Sequence, residues 1–189
     1  MRIKNKVLMG SIACIIAACL WGISGATGQY LFNFTGVTPE WVVSTRTLFV
    51  GIIMLTFIQM THGGIFEIWT NKEDRKDIII FSLVGMLFTQ YGYFAAIKYC
   101  NAATATVLQY TAPIMIVVYL ALKNKKLPTL VEIIAVAGCL AGTVLLATHG
   151  DLKNLSLSPQ ALFWGLISAV ALAFYTVYPA RLLTKYDTK

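Results

Sequence analysis

Six stretches of about 20 mostly apolar residues, separated by short charged or turn-forming segments, constrain this chain more than any other feature, because a stretch of that length matches the thickness of a bilayer. They run from Val7 to Tyr30, Glu40 to Met60, Ile78 to Tyr99, Ala103 to Leu122, Leu130 to His149 and Gln160 to Leu183. With 58% hydrophobic and 12% charged residues, the 189-residue chain lacks the polar exterior that a water-soluble domain needs. The expectation is an all-α polytopic transmembrane bundle of six helices in a cell membrane, with the lipid bilayer as its first partner.

Topology follows from where the basic residues lie, since cytoplasmic loops retain Lys and Arg. Arg2, Lys4 and Lys6 precede the first span, and Lys72, Arg75 and Lys76 lie between the second and third. Lys123, Lys125 and Lys126 lie between the fourth and fifth, and Arg181, Lys185 and Lys189 come after or at the end of the sixth. These alternate sites hold twelve of the fifteen basic residues, leaving Lys98, Lys153 and the intrahelical Arg46. Both termini are therefore expected on the cytoplasmic side. The net charge of +7 comes from these clusters and not from a basic face, so no nucleic-acid partner is expected. Ile16-Ala17-Ala18-Cys19 is similar to a lipoprotein cleavage box, but the apolar run continues through Ile23, and the first span is expected to be retained.

Chemistry-bearing groups are sparse. Cys14, Cys19, Cys100 and Cys139 spell out neither a disulfide framework nor a metal pattern, and His62 and His149 fall at the membrane edges. No catalytic constellation, metal site or cofactor motif is visible, and no Asp or Glu lies at the centre of a span, so an enzyme is the last of the readings. Arg46, about two turns into the second span, either snorkels to the headgroups or serves as the charge of a water-filled vestibule. Lys98 and Glu132 read as interfacial anchors.

Polar and aromatic residues inside the spans supply the candidate substrate path. Met86, Gln90, Tyr93 and Ile97 recur at helical spacing on the third span, with Thr106, Gln109 and Pro113 on the fourth and Tyr175 and Tyr178 on the sixth. Trp21 stands beside Gly22, Ser24 and Gly25 on the first. Such faces suit an amphipathic cavity for a small organic solute, and equally suit bonding between packed helices. Gly138 and Gly142, and Gly165, Ala169 and Ala173, have the spacing that permits close helix approach. Pro113, in mid-span, predicts a kink.

Leu20-Trp21-Gly22, Pro39 with Arg46, the run Ala95 to Ala103 continuing through Leu108 to Pro113, and Gly138 with Gly142 together resemble the EamA-type transporters of the drug/metabolite transporter superfamily. The resemblance implies ten helices in two inverted repeats of five, a substrate path between the repeats, and export of small organic metabolites or drugs. On that pattern residues 1–149 are the first repeat and 150–189 open a second, so the chain is expected to be a portion of a longer transporter. The alternatives are a half-length subunit that forms a homo- or hetero-oligomer, and a scaffold that packs against another membrane protein without transporting.

Overall fold

The computed structural model describes residues 2–61, 63, 69–148, 150, 151 and 157–185; His62, His149, Lys153 and Lys189 lie outside them, and the side chains of Arg2, Lys4, Lys6, Arg181 and Lys185 are likewise not described. All regular structure among the described residues is helical, and six helices are long and apolar enough to cross a membrane. They are α1 (Arg2–Phe34), α2 (Pro39–Thr61), α3 (Lys72–Tyr99), α4 (Ala102–Asn124), α5 (Leu130–Thr148) and α6 (Pro159–Val177), followed by the short α7 (Ala180–Lys185).

Local chemistry sets the helix ends. Gly36 takes the left-handed conformation (φ 66°) that turns the chain out of α1, and Pro39 opens α2 where a missing N–H costs nothing. Asn71 caps α3 by accepting from the Glu73 N–H at 2.9 Å, and Glu73 and Asp74 favour the positive end of the helix dipole. The cap starts α3 at Lys72, six residues before the predicted Ile78, because its first two turns are charged and carry no apolar signal. Thr129 and Glu132 form a reciprocal capping box on α5, with Glu132 Oε2 accepting from Thr129 N at 2.7 Å and Thr129 Oγ1 from Glu132 N at 3.3 Å. Ser158 caps α6 through the Ala161 N–H at 3.1 Å and donates to the Tyr99 carbonyl at 3.0 Å, tying two helix ends together.

Two spans are irregular. Phe81–Leu87 in α3 widens into π-helical bonding, and α4 is interrupted between Ala102–Gln109 and Ala112–Asn124. The interruption is the kink expected from Pro113: the ring has no N–H to offer the Gln109 carbonyl, and the Thr111 N–H bonds the Leu108 carbonyl in a tighter turn at 3.2 Å. The predicted sixth span is corrected. It ends at Val177 instead of running to Leu183, because Pro179 has no N–H with which to continue the ladder, and the chain restarts as α7.

α3 is the centre of the bundle. Tyr93, Phe94, Ala95, Ala96 and Ile97 are buried on it, with Val43 of α2 and Ala105 of α4 closing the same cluster. Its tightest neighbour is α6. A Cβ on Gly92 would lie 3.0 Å from Ser168 Cβ and from the Trp164 carbonyl, and one on Gly165 would lie 2.7 Å from Leu108 Cβ, so both glycines permit backbone approach. The predicted small-residue seam is thus realised at Gly165 and the fully buried Ala169. Among the described residues Gly138 and Gly142 do not form the other seam: none lies within 4 Å of a Cβ built on either. α5 faces the bundle along a different edge, where Thr143, Leu146 and Ala147 line a cavity shared with α1 and α4. Ile12, Ile16, Leu20, Leu48, Ile52 and Leu55 stand exposed on α1 and α2, as side chains facing hydrocarbon do.

Candidate functional site

Arg46 is a charge set within the apolar spans. Seven residues into α2, it bends toward α1 and donates from Nη1 to Ser24 Oγ at 2.9 Å. Its guanidinium carbon lies 5.9 Å from the centroid of the Trp21 ring and 5.6 Å from that of Phe94, so two aromatic faces flank the cation. Among the described residues no carboxylate pairs with it. Glu40, the acid at the start of α2, is engaged elsewhere and accepts from Tyr91 Oη at 2.8 Å.

Tyr93 connects this cation to a cavity. Its ring lies 6.1 Å from Trp21, and its hydroxyl is 3.0 Å from Thr106 Oγ1. Because Thr106 spends its own hydrogen on the Ala102 carbonyl at 2.7 Å, Tyr93 is the donor in that pair. Gly25 makes the arrangement possible, since a Cβ there would meet the Tyr93 hydroxyl at 2.6 Å. Beyond Tyr93 opens a cavity of about 360 Å³ whose lining includes Gly22 and Ala26 of α1, Thr106 and Tyr110 of α4, and Thr143 of α5. Tyr110 sits at the break in α4, so the irregular backbone of that span borders the cavity. The turn between α3 and α4 is held from α1, whose Gln29 Oε1 accepts from the Ala102 N–H at 2.7 Å, while Asn101 caps Thr104 N at 2.7 Å.

The sequence-predicted residues therefore divide. Trp21, Tyr93, Thr106 and Arg46 come together. Gln90 is buried one turn from Tyr93 and Phe94 on α3, and its Oε1 has no hydrogen-bond partner among the described residues. Gln109 instead joins helices: its Nε2 donates to Ser168 Oγ at 2.7 Å, and Ser168 donates onward to the Thr89 carbonyl at 2.9 Å. Pro113 shapes α4 without lining this cavity. Tyr175 stacks on Phe81 with centroids 5.1 Å apart, and Tyr178 donates to Asp77 Oδ1 at 3.0 Å. Tyr178 also borders a separate groove of about 540 Å³ between α4 and α6, whose lining includes Tyr119, Lys123 and Phe174. Met86 leaves the predicted face of α3 and is exposed, because the π-helical turns turn the chain by less per residue than the 3.6-residue repeat assumes. Lys98 is exposed at the end of α3.

Phe94, Tyr110 and Ser168 were missed. Helical spacing from Gln90 reaches Phe94 as readily as Tyr93, and Tyr110 lies three residues before Pro113, so both carried a signal. Ser168 carried none, being one small residue in a run of them. Among the described residues no group of three or more His, Cys, Asp or Glu side chains could hold a metal.

No solved structure matches the chain. A curated protein of Salmonella typhimurium, described as an uncharacterized inner membrane transporter, YicL, is 42% identical over 179 residues. That alignment covers 95% of this chain and 60% of the relative, so the chain spans about three fifths of the relative's length. The model of the EamA-like transporter family matches residues 8–148, from the first apolar turns of α1 to the end of α5, and the chain belongs to that family.

Proposed function

We infer that this chain forms the solute-conducting part of a transporter of the drug/metabolite type, which moves small organic solutes across the cell membrane by alternating access. The observation that carries the reading is the cavity at the interruption of α4. Broken helices are tolerated at membrane depth where they line a cavity, and transporters use them as solute sites. Trp21, Tyr93 and Thr106 supply aromatic and hydroxyl surface there, with Arg46 behind Trp21 and Tyr93. Gln90 is a further path candidate through its unpartnered acceptor; Gln109, Pro113, Tyr175 and Tyr178 belong to the helix framework that holds the path.

In this reading α1 to α5 are one repeat and α6 opens a second. Support comes from the extent of the family match, which ends with α5. The distribution of Lys and Arg favours cytoplasmic termini. A second reading, a subunit that works only in an oligomer, draws on the largely uncovered faces of α1, α2 and α5 and on the open Gly138 and Gly142 positions.

The test is flux of small organic solutes into proteoliposomes containing the purified chain, combined with cysteine accessibility at Gly22→Cys and Thr106→Cys on a background without native cysteines. Saturable flux, with both cysteines open to a polar thiol reagent and protected by the transported solute, supports the reading. Absence of flux together with complete inaccessibility of both cysteines removes the cavity assignment. Flux that appears only when α5 is cross-linked to a partner through Gly138→Cys favours the oligomeric subunit.

A further inference from the structure

Arg46 is held in a way that leaves it available. A guanidinium carries five N–H donors in a planar fork, and the described structure gives this one a single hydrogen-bond acceptor, Ser24 Oγ, and two aromatic faces. A cation at membrane depth is normally neutralised by a carboxylate or carried to the headgroups. Among the described residues Arg46 follows neither course. No described carboxylate pairs with Arg46. A snorkelling arginine would follow α2 back toward Pro39, whereas this one reaches Ser24, ten residues or about 15 Å of helix short of the end of α1 at Phe34.

Trp21 and Phe94 add a constraint on what the fork can receive. Their rings flank the guanidinium, so a ligand group reaching its free donors lies between or beside aromatic surfaces. A carboxylate matches the fork with two parallel hydrogen bonds, and a flat apolar body attached to it matches the rings. We propose that Arg46, with Ser24, Trp21 and Phe94, forms a binding site for small organic carboxylates between α1, α2 and α3. The site deepens the transport reading by giving the solute a charge and rests on that reading only for its role in transport, not for the binding itself.

Equilibrium binding of radiolabelled benzoate, with neutral benzamide as the isosteric competitor, tests the site on the full chain in phosphatidylcholine nanodiscs. Saturable benzoate binding that benzamide fails to displace is expected. Arg46→Gln weakens it at least tenfold, and Arg46→Lys retains part of it. Ser24→Asp places an internal carboxylate against the guanidinium and abolishes binding while leaving the fold intact, so the test does not depend on whether Arg46→Gln folds. Equal competition by benzamide, or unchanged affinity in Ser24→Asp, overturns the proposal. So does absence of benzoate binding with a protein whose unfolding responds to Arg46→Gln only in phosphatidylglycerol discs, an outcome that assigns the cation to a lipid phosphate. Benzoate binding without flux leaves the site standing and removes the transport reading; flux of neutral solutes without benzoate binding does the reverse.

Discussion

Gln109 and Ser168 share a hydrogen bond of 2.7 Å in the buried contact between α4 and α6, and Ser168 donates its own hydrogen bond to the Thr89 carbonyl of α3 at 2.9 Å. Three helices thus meet in one relay just before α4 breaks. Ser168→Ala removes the middle of it and leaves the Gln109 amide without its acceptor. A loss of about 1 to 2 kcal/mol is expected, the range of buried and intramembrane polar contacts. Reversible unfolding of the detergent-solubilised protein measures it. Gln109→Leu should cost a similar amount, and the double variant should cost little more than either single one. A Gln109→Leu protein of unchanged stability but lowered solute affinity would return Gln109 to the solute path.

Glycines separate tight seams from open ones. Gly165→Ala puts a methyl 2.6 Å from Leu108 Cδ1 and 2.7 Å from Leu108 Cβ; the Cβ is fixed by the backbone and cannot swing aside. The expected cost is about 1 to 3 kcal/mol, as for overpacking elsewhere, and Leu108→Ala in the same chain should recover part of it. Gly138→Ala and Gly142→Ala meet nothing within 4 Å and should be neutral or stabilising by up to about 1 kcal/mol through helix propensity. Destabilisation at Gly138 or Gly142 would reveal a neighbour that packs there in the assembled protein.

Much of this architecture is legible in the sequence because the bilayer enforces it. Uncharged length alone locates α1, α2, α4 and α5 to within a few residues, and Pro113 marks the break in α4. Where the reading slips, a local bonding pattern competes with hydropathy. Asn71 starts α3 inside a charged segment, Pro179 stops α6 inside an apolar one, and the π-helical turns before Phe88 carry Met86 off the predicted face. The candidate site was half legible. Trp21, Arg46, Tyr93 and Thr106 stand out as aromatic or polar residues inside apolar spans, whereas the partners each glutamine meets depend on helix rotation. A periodicity of 3.6 leaves that rotation free, and it took the contact with Ser168 to place Gln109.

Tyr93 and Gly25 yield a paired prediction. Gly25→Ala would bring a methyl to 2.6 Å from the Tyr93 hydroxyl, displacing it from Thr106, while the next ring atom stays at 3.5 Å. Tyr93→Phe removes the atom that clashes along with its hydrogen bond, a loss of about 1 kcal/mol. Gly25→Ala should therefore be costly in the native background and nearly free in Tyr93→Phe, a non-additivity that a double-mutant cycle of unfolding energies reads directly. Additive costs would mean that the hydroxyl is not what fills the space above Gly25.

Cys100 tests the turn between α3 and α4, which lies outside the spans. Its Sγ donates to the Ala96 carbonyl at 3.0 Å, and burial raises the thiol above its ordinary value against a smaller lowering by the backbone at Asn101 and Ala105. The thiolate is the reactive form, so a raised value lowers its population at neutral pH and moves the titration to higher pH. With Cys14, Cys19 and Cys139 replaced by Ser, maleimide should modify Cys100 at pH 7.5 more slowly than a free thiol. The rate should still be rising with pH where a free thiol has levelled off. Asn101→Ala removes the cap on Thr104 and loosens the turn, which should speed the reaction and bring its pH profile back toward the free thiol. If Cys100 already levels off at the pH of a free thiol in the uncapped and capped proteins alike, the turn is not closed over the sulfur, and the Gln29 bond that ties it to α1 is not holding.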